Sequence, residues 1–229
     1  MNPDPNDLVI QLLTAAPMFA FALVFHEFSH AVVANRLGDR LAAWTGRLTL
    51  DPRPHLDPMG SIAMPVLGIV FGWWNGMPGL IFGWAKPVPF NPRDLRNRSR
   101  DMMLIALAGP AANLALLVVF AFAIRGLTAA GVTSNSSASM LLEMAAFGVY
   151  INALLAVFNM IPLPPLDGSK VLAFFLGGQL GSRLLSLNPS MSFMVVLFLV
   201  FSGRLSGPLI AAIHFGERLA GIPIAQLLY

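Results

Sequence analysis

From Leu8 to Ala34 the chain is apolar almost without interruption, the exception being one tight polar group, His26, Glu27, Ser29 and His30. A run of that length crosses a bilayer as a single helix, for which about 20 apolar residues suffice. Two further runs, Met102–Ile124 and Met140–Ile161, predict two more spans. The stretch between the first two runs is mixed. Trp44–Leu50 alternates and predicts a short strand, and Asp51-Pro-Arg-Pro and Asp57-Pro-Met-Gly60 are turn signals. Ser61–Trp84 is apolar but broken by Pro65, Gly68, Gly72, Pro78 and Gly79, which argues against one straight helix, and Lys86–Asn91 is proline-punctuated and extended. Past residue 170 the pattern weakens. Val171–Leu187 either lies in the interface or crosses, Met191–Phe201 is short for a span, and Pro208–Leu228 carries His214, Glu217 and Arg218. The expectation is an all-α polytopic membrane protein of about four to six transmembrane helices. A small strand or re-entrant region separates the first span from the next, and residues 1–229 form a single domain.

Composition supports lipid as the solvent. Of 229 residues, 56% are hydrophobic and 11% charged, with a mean hydropathy of +0.72; soluble domains carry about 25% charged residues. The formal charge of +3 does not point to nucleic acid, because the basic residues cluster beside the apolar runs, at Arg36, Arg40, Arg47 and Arg53 and again at Lys86 and Arg93–Arg100. Cytoplasmic membrane loops have that character. With no cysteine, any metal site must use histidine and carboxylate. The acidic start, Met1–Asp7, does not read as a cleaved signal peptide.

His26-Glu27-Phe28-Ser29-His30 is an HExxH pattern inside an apolar helix. Positions i and i+4 share a helical face, so both imidazoles can reach one zinc, and Glu27 sits beside that face, placed to take a proton from water on the metal. Packing or capping histidines would be the bland alternative, but ionisable groups in a membrane span are expensive and mark function by default. A catalytic zinc needs a third protein ligand and an open position. The candidates are His55, His214, the eight aspartates and two further glutamates. Asp167 stands out because it follows a span and precedes Gly168 in a proline-rich bend.

Four elements in order, HEFSH on an apolar helix, GWAKPVPFNP before a span, AGPAAN within it and NMIPLPPLDG after the next, resemble the site-2 protease family of intramembrane zinc metalloproteases. The resemblance runs from about Phe19 to Leu172 and suggests a minimal form with neither PDZ nor CBS domain. It implies one zinc per chain held by His26, His30 and Asp167, Glu27 as the base, and Asn159 orienting substrate or the oxyanion, unless Asn159 serves as a helix-end cap. It also implies a substrate that is a membrane-spanning protein helix, cut within or near its transmembrane segment. The implied surroundings are membrane lipid, with a homo-oligomer allowed, in the plasma membrane of a prokaryotic cell.

The charge pattern can be checked against this arrangement. Arg36 and Arg40 place the end of the first helix in the cytoplasm, and His26, ten residues earlier, lies about 15 Å deeper. The span from Met102 starts inside after Arg93–Arg100, and the next one returns, bringing Asp167 to the same leaflet. Ser61–Trp84 has basic flanks on both sides and must then cross an even number of times, as a re-entrant hairpin bent near Gly76–Gly79 would. The rival function is metal binding or metal transport without hydrolysis, for which a non-ligating Glu27 has no purpose; a catalytically idle relative is a third reading, opposed by the complete residue set. His55 reads as a turn-region histidine and His214 as the partner of Glu217 or Arg218. Gly109, Pro110 and Asn113 read as allowing close helix approach or a kink.

Overall fold

The computed structural model describes residues 5–74, 83–133 and 138–228. Three long helices form its frame: α1 (Pro5–Leu37), α4 (Arg98–Ala129) and α5 (Ser139–Asn159). Each is long and apolar enough to cross a membrane. Between α1 and α4 lie the short α2 (Leu41–Trp44), a π-helical turn (Pro58–Ala63) and α3 (Met64–Trp74). After α5 come α6 (Asp167–Leu176), α7 (Gly178–Leu185), α8 (Pro189–Phe201), α9 (Ser206–Ala220) and α10 (Ala225–Leu228). The pair α7 and α8 is apolar enough to count as a fourth span, bent by 82° at its break. Among the described residues that makes three spans, or four with the bent pair taken as one, against the expected four to six.

Small residues bring the helices together. On α4 and α5, Ala121, Ala145, Ala146, Val149 and Ala153 are buried with Leu117 and Ile124, and α9 closes this core through Ala220. A β-carbon on Gly148 would lie 2.7 Å from the Phe120 ring, so this glycine sets the α4–α5 spacing. A second cluster joins α1 (Phe19, Ala22, Leu23) to α5 (Phe147, Ile151, Leu155) and to Ile69 of α3. Because lipid is as apolar as leucine, packing of this close kind, rather than hydrophobic burial, drives association between such helices.

The expected strand at Trp44–Leu50 does not form, and among the described residues there is no strand. Gly46, at φ +71°, instead terminates α2. Its N–H donates to the Ala43 carbonyl and that of Arg47 to the Ala42 carbonyl. These bonds satisfy the last carbonyls of the helix and consume the donors a strand would have needed.

The region from 56 to 85 does leave and return to one place. Leu56 and Ala85 form an isolated antiparallel bridge, Lys86 N–H donates to the His55 carbonyl (2.8 Å), and Ser61 Oγ donates to the Trp84 carbonyl (2.7 Å). Joined ends fit the expected even number of crossings; the bend expected near Gly76–Gly79 lies outside the described residues. From Ala85 the chain runs extended past α1 toward α4. Asp39, fully buried, fixes it there by accepting from the N–H groups of Leu41 (2.9 Å) and Asn91 (2.6 Å).

Candidate metal centre

The helical spacing of α1 stacks His26 and His30 with their Nε2 atoms 3.1 Å apart. The turn after α5 delivers Asp167 as the first residue of α6. That turn needs Gly168, because a β-carbon there would run into the carbonyl groups of Met160 and Ile161. Asp167 Oδ2 lies 3.3 Å from His26 Nε2 and 3.1 Å from His30 Nε2, and all three residues are buried. α4 walls the site through Gly109, where a β-carbon would come within 2.5 Å of both His26 Cε1 and His30 Nε2.

The outer nitrogens of the two rings are already committed. His26 Nδ1 is 2.6 Å from Asn113 Oδ1, and His30 Nδ1 is 2.6 Å from the Ile105 carbonyl. A carbonyl oxygen only accepts, so both rings carry their proton on Nδ1, an assignment that follows from the partners. Asn113 is oriented in turn, since its Nδ2 donates to Asn152 Oδ1 (2.8 Å), and Asn152 Nδ2 donates to the Gly148 carbonyl (2.8 Å). Two imidazole lone pairs and a carboxylate oxygen thus converge with no proton between them, an arrangement that needs a cation. Donors held at about 2.0–2.1 Å by a tetrahedral zinc stand about 3.3 Å apart. The observed separations agree, and two imidazoles with one carboxylate suit zinc chemically.

Asp167 faces the two ring nitrogens with Oδ2 and accepts from Lys170 Nζ with Oδ1 at 2.8 Å. As a zinc ligand it would bind as the carboxylate. Glu27, half-buried, stands outside the trio. Its Oε2 accepts the Val88 N–H at 3.0 Å, from the extended segment that follows Ala85.

Residues 91–202 match the family described as Peptidase family M50. YwhC of Bacillus subtilis is 36% identical over 167 residues, covering 72% of this chain and 67% of the relative. Rip2 of Mycobacterium tuberculosis is 31% identical over 205 residues, 88% of this chain and 71% of the relative. Both carry the name "Putative zinc metalloprotease". The chain belongs to peptidase family M50, the site-2 protease family. It is accordingly a zinc metallopeptidase and, with its long apolar helices, an integral membrane protein. A further relative, from the archaeon Methanocaldococcus jannaschii, is 31% identical over 168 residues, 73% of each chain. No solved structure matches the chain.

In this M50 chain, helical spacing and the proline-rich bend bring His26, His30 and Asp167 together, with Glu27 next to His26. Asn159 ends α5, where its Nδ2 donates to the Leu155 carbonyl at 3.0 Å, a bond within its own helix. His55 is fully buried away from the trio, its Nε2 bonded to the Thr49 carbonyl at 2.8 Å. His214, itself exposed, pairs with Glu217 at 2.6 Å on α9. Gly109 does permit the close helix approach read from the sequence. Asn113 does more than that, and Asn152 and Val88 carry no sequence signal for their contacts. Replacing Asn113 with alanine should leave the His26 ring free to turn and weaken zinc binding about 10- to 100-fold, the usual cost of losing such a partner. Competition against a calibrated chelator checks this, and unchanged affinity would show that α1 packing alone orients the ring.

Proposed function

We propose that this metallopeptidase is an intramembrane endopeptidase, hydrolysing peptide bonds within or near the transmembrane segments of other membrane proteins. The observation that carries the reading is the meeting of His26 and His30, on a long apolar helix, with Asp167 from the bend that follows another, and a tethered glutamate beside them. His26, His30 and Asp167 would hold one zinc. When bound, zinc supplies a Lewis acid that polarises the scissile carbonyl and makes water acidic enough to ionise near neutral pH.

Glu27 is the general base of this proposal. It takes a proton from the attacking water and passes it to the leaving amine. The Val88 N–H engages Oε2 and holds the side chain still, leaving the other oxygen to receive the proton. Asn113 and Asn152 hold His26 in the tautomer that offers Nε2 inward. Asn159, at the end of α5, would orient the substrate strand. α4 walls the site through Gly109. Metal transport finds no support comparable to the tethered Glu27.

Arg36 in the last turn of α1 supports an active site facing the cytoplasmic leaflet of the plasma membrane, about 15 Å below the surface. In that arrangement introduced cysteines at both Arg47–Arg53 and Arg93–Arg100 should react with a reagent applied from the cytoplasm. Labelling of one loop alone would rule the orientation out. Activity and substrate are tested together by co-expressing wild type or Glu27→Gln with a panel of tagged single-span proteins. A fragment released by wild type only supports the proposal, whereas identical patterns throughout oppose it.

A further inference from the structure

The two carboxylate oxygens of Asp167 have different neighbours. Oδ2 faces both histidine Nε2 atoms, while Oδ1 accepts a hydrogen bond from Lys170 Nζ at 2.8 Å. Lys170 lies one helical turn further along α6, and its side chain is only 24% exposed. Its ammonium group also stands 5.9 Å from the centre of the Phe90 ring. A cation over an aromatic face is attracted to it, so Lys170 is held from two sides rather than swinging freely. Phe90 belongs to the same extended segment whose Val88 N–H tethers Glu27.

This geometry has a consequence for the metal. A carboxylate can bind zinc through one oxygen or two, and binding through two would use the position a catalytic zinc must leave open. An oxygen already engaged by an ammonium group in a short, charge-assisted bond is poorly placed to become a second ligand. We propose that Lys170 is a positioning residue that restricts Asp167 to one-oxygen ligation and thereby keeps the fourth zinc position open for water. This rests on the reading of His26, His30 and Asp167 as the metal ligands. Lys170 thus acts on the metal through Asp167, while the 86–90 segment links its placement to that of the base.

Cobalt is the probe, because Co²⁺ in zinc sites absorbs strongly when four-coordinate and weakly when a fifth ligand joins. The full chain in detergent would be loaded with Co²⁺ as wild type, Lys170→Met, Lys170→Arg and Asp167→Ala, with metal content and helical circular dichroism measured alongside. Wild type should give the strong visible bands at one metal per chain, and Asp167→Ala should lose the metal. Should wild type bind none, or Asp167→Ala keep its full load, the ligand assignment itself fails. Given those controls, Lys170→Met should load with cobalt but lose visible band intensity, and Lys170→Arg, which keeps a cation and a donor, should retain the wild-type spectrum. A fully loaded Lys170→Met with the wild-type spectrum would overturn the proposal. So would a fully loaded Lys170→Arg whose bands are weaker than those of wild type, and that criterion stands even if Lys170→Met does not fold.

Discussion

Replacing Asp167 with alanine should empty the metal site, from one zinc per chain to nearly none, and abolish cleavage while the helices stay folded in detergent. The expectation follows from the donor count. His26 and His30 alone leave zinc two protein ligands, and catalytic sites use three. Among the described residues neither other histidine joins the trio: His55 is bonded through Nε2 to the Thr49 carbonyl, and His214 is paired with Glu217 on α9. The variant should also tolerate the change structurally. Lys170, whose side chain is 24% exposed, loses its carboxylate partner but keeps the Phe90 ring beside its ammonium group. Metal analysis with circular dichroism on the same sample checks both halves. Full occupancy with normal activity would remove Asp167 from the ligand set.

Glu27→Gln should separate binding from chemistry. Glutamine keeps the size of the side chain and an oxygen to accept the Val88 N–H, so the segment above the site stays where it is. It cannot take a proton from water. Zinc should remain at one per chain while the cleavage rate falls by a factor of about 10² to 10⁴, the range for loss of a general acid–base group. His26→Ala is the contrasting variant, losing metal and activity together. Should Glu27→Gln cut as fast as wild type, the glutamate is not the base and a metal-carrier function gains ground.

How much of this was legible beforehand depends on the range over which each feature is encoded. The HExxH geometry is local: two histidines four residues apart share a face on any helix. The three long helices follow from uninterrupted apolar runs. Asp167 could be singled out by a local cue, the Pro162–Pro165 bend before Gly168, although its role as a ligand came through the family resemblance. The contacts that orient the site were not readable, since they depend on how α1, α4 and α5 are rotated about their axes. A helix that is apolar all round carries no stripe to fix that rotation. AGPAAN therefore marks Asn113 but not its bond to His26, and nothing in the sequence marks Asn152. Trp44–Leu50 misled for a related reason. Its alternation suits a strand, but a strand needs a partner, and Gly46 had a helix end to close instead.

The trio is drawn from distant parts of the chain, the histidines from α1 and the aspartate from α6, with α4 and α5 between them in sequence. A ligand that binds only where these parts have met favours the assembled form by mass action, by about 2.7 kcal/mol when free zinc stands at a hundred times its dissociation constant. For a helical bundle of this size, that is a substantial reinforcement. The zinc is therefore a buckle as well as a reagent. A chelator would then lower the protein's resistance to denaturation while it silenced the enzyme, the helices themselves staying assembled because α1 and α6 each pack against α4.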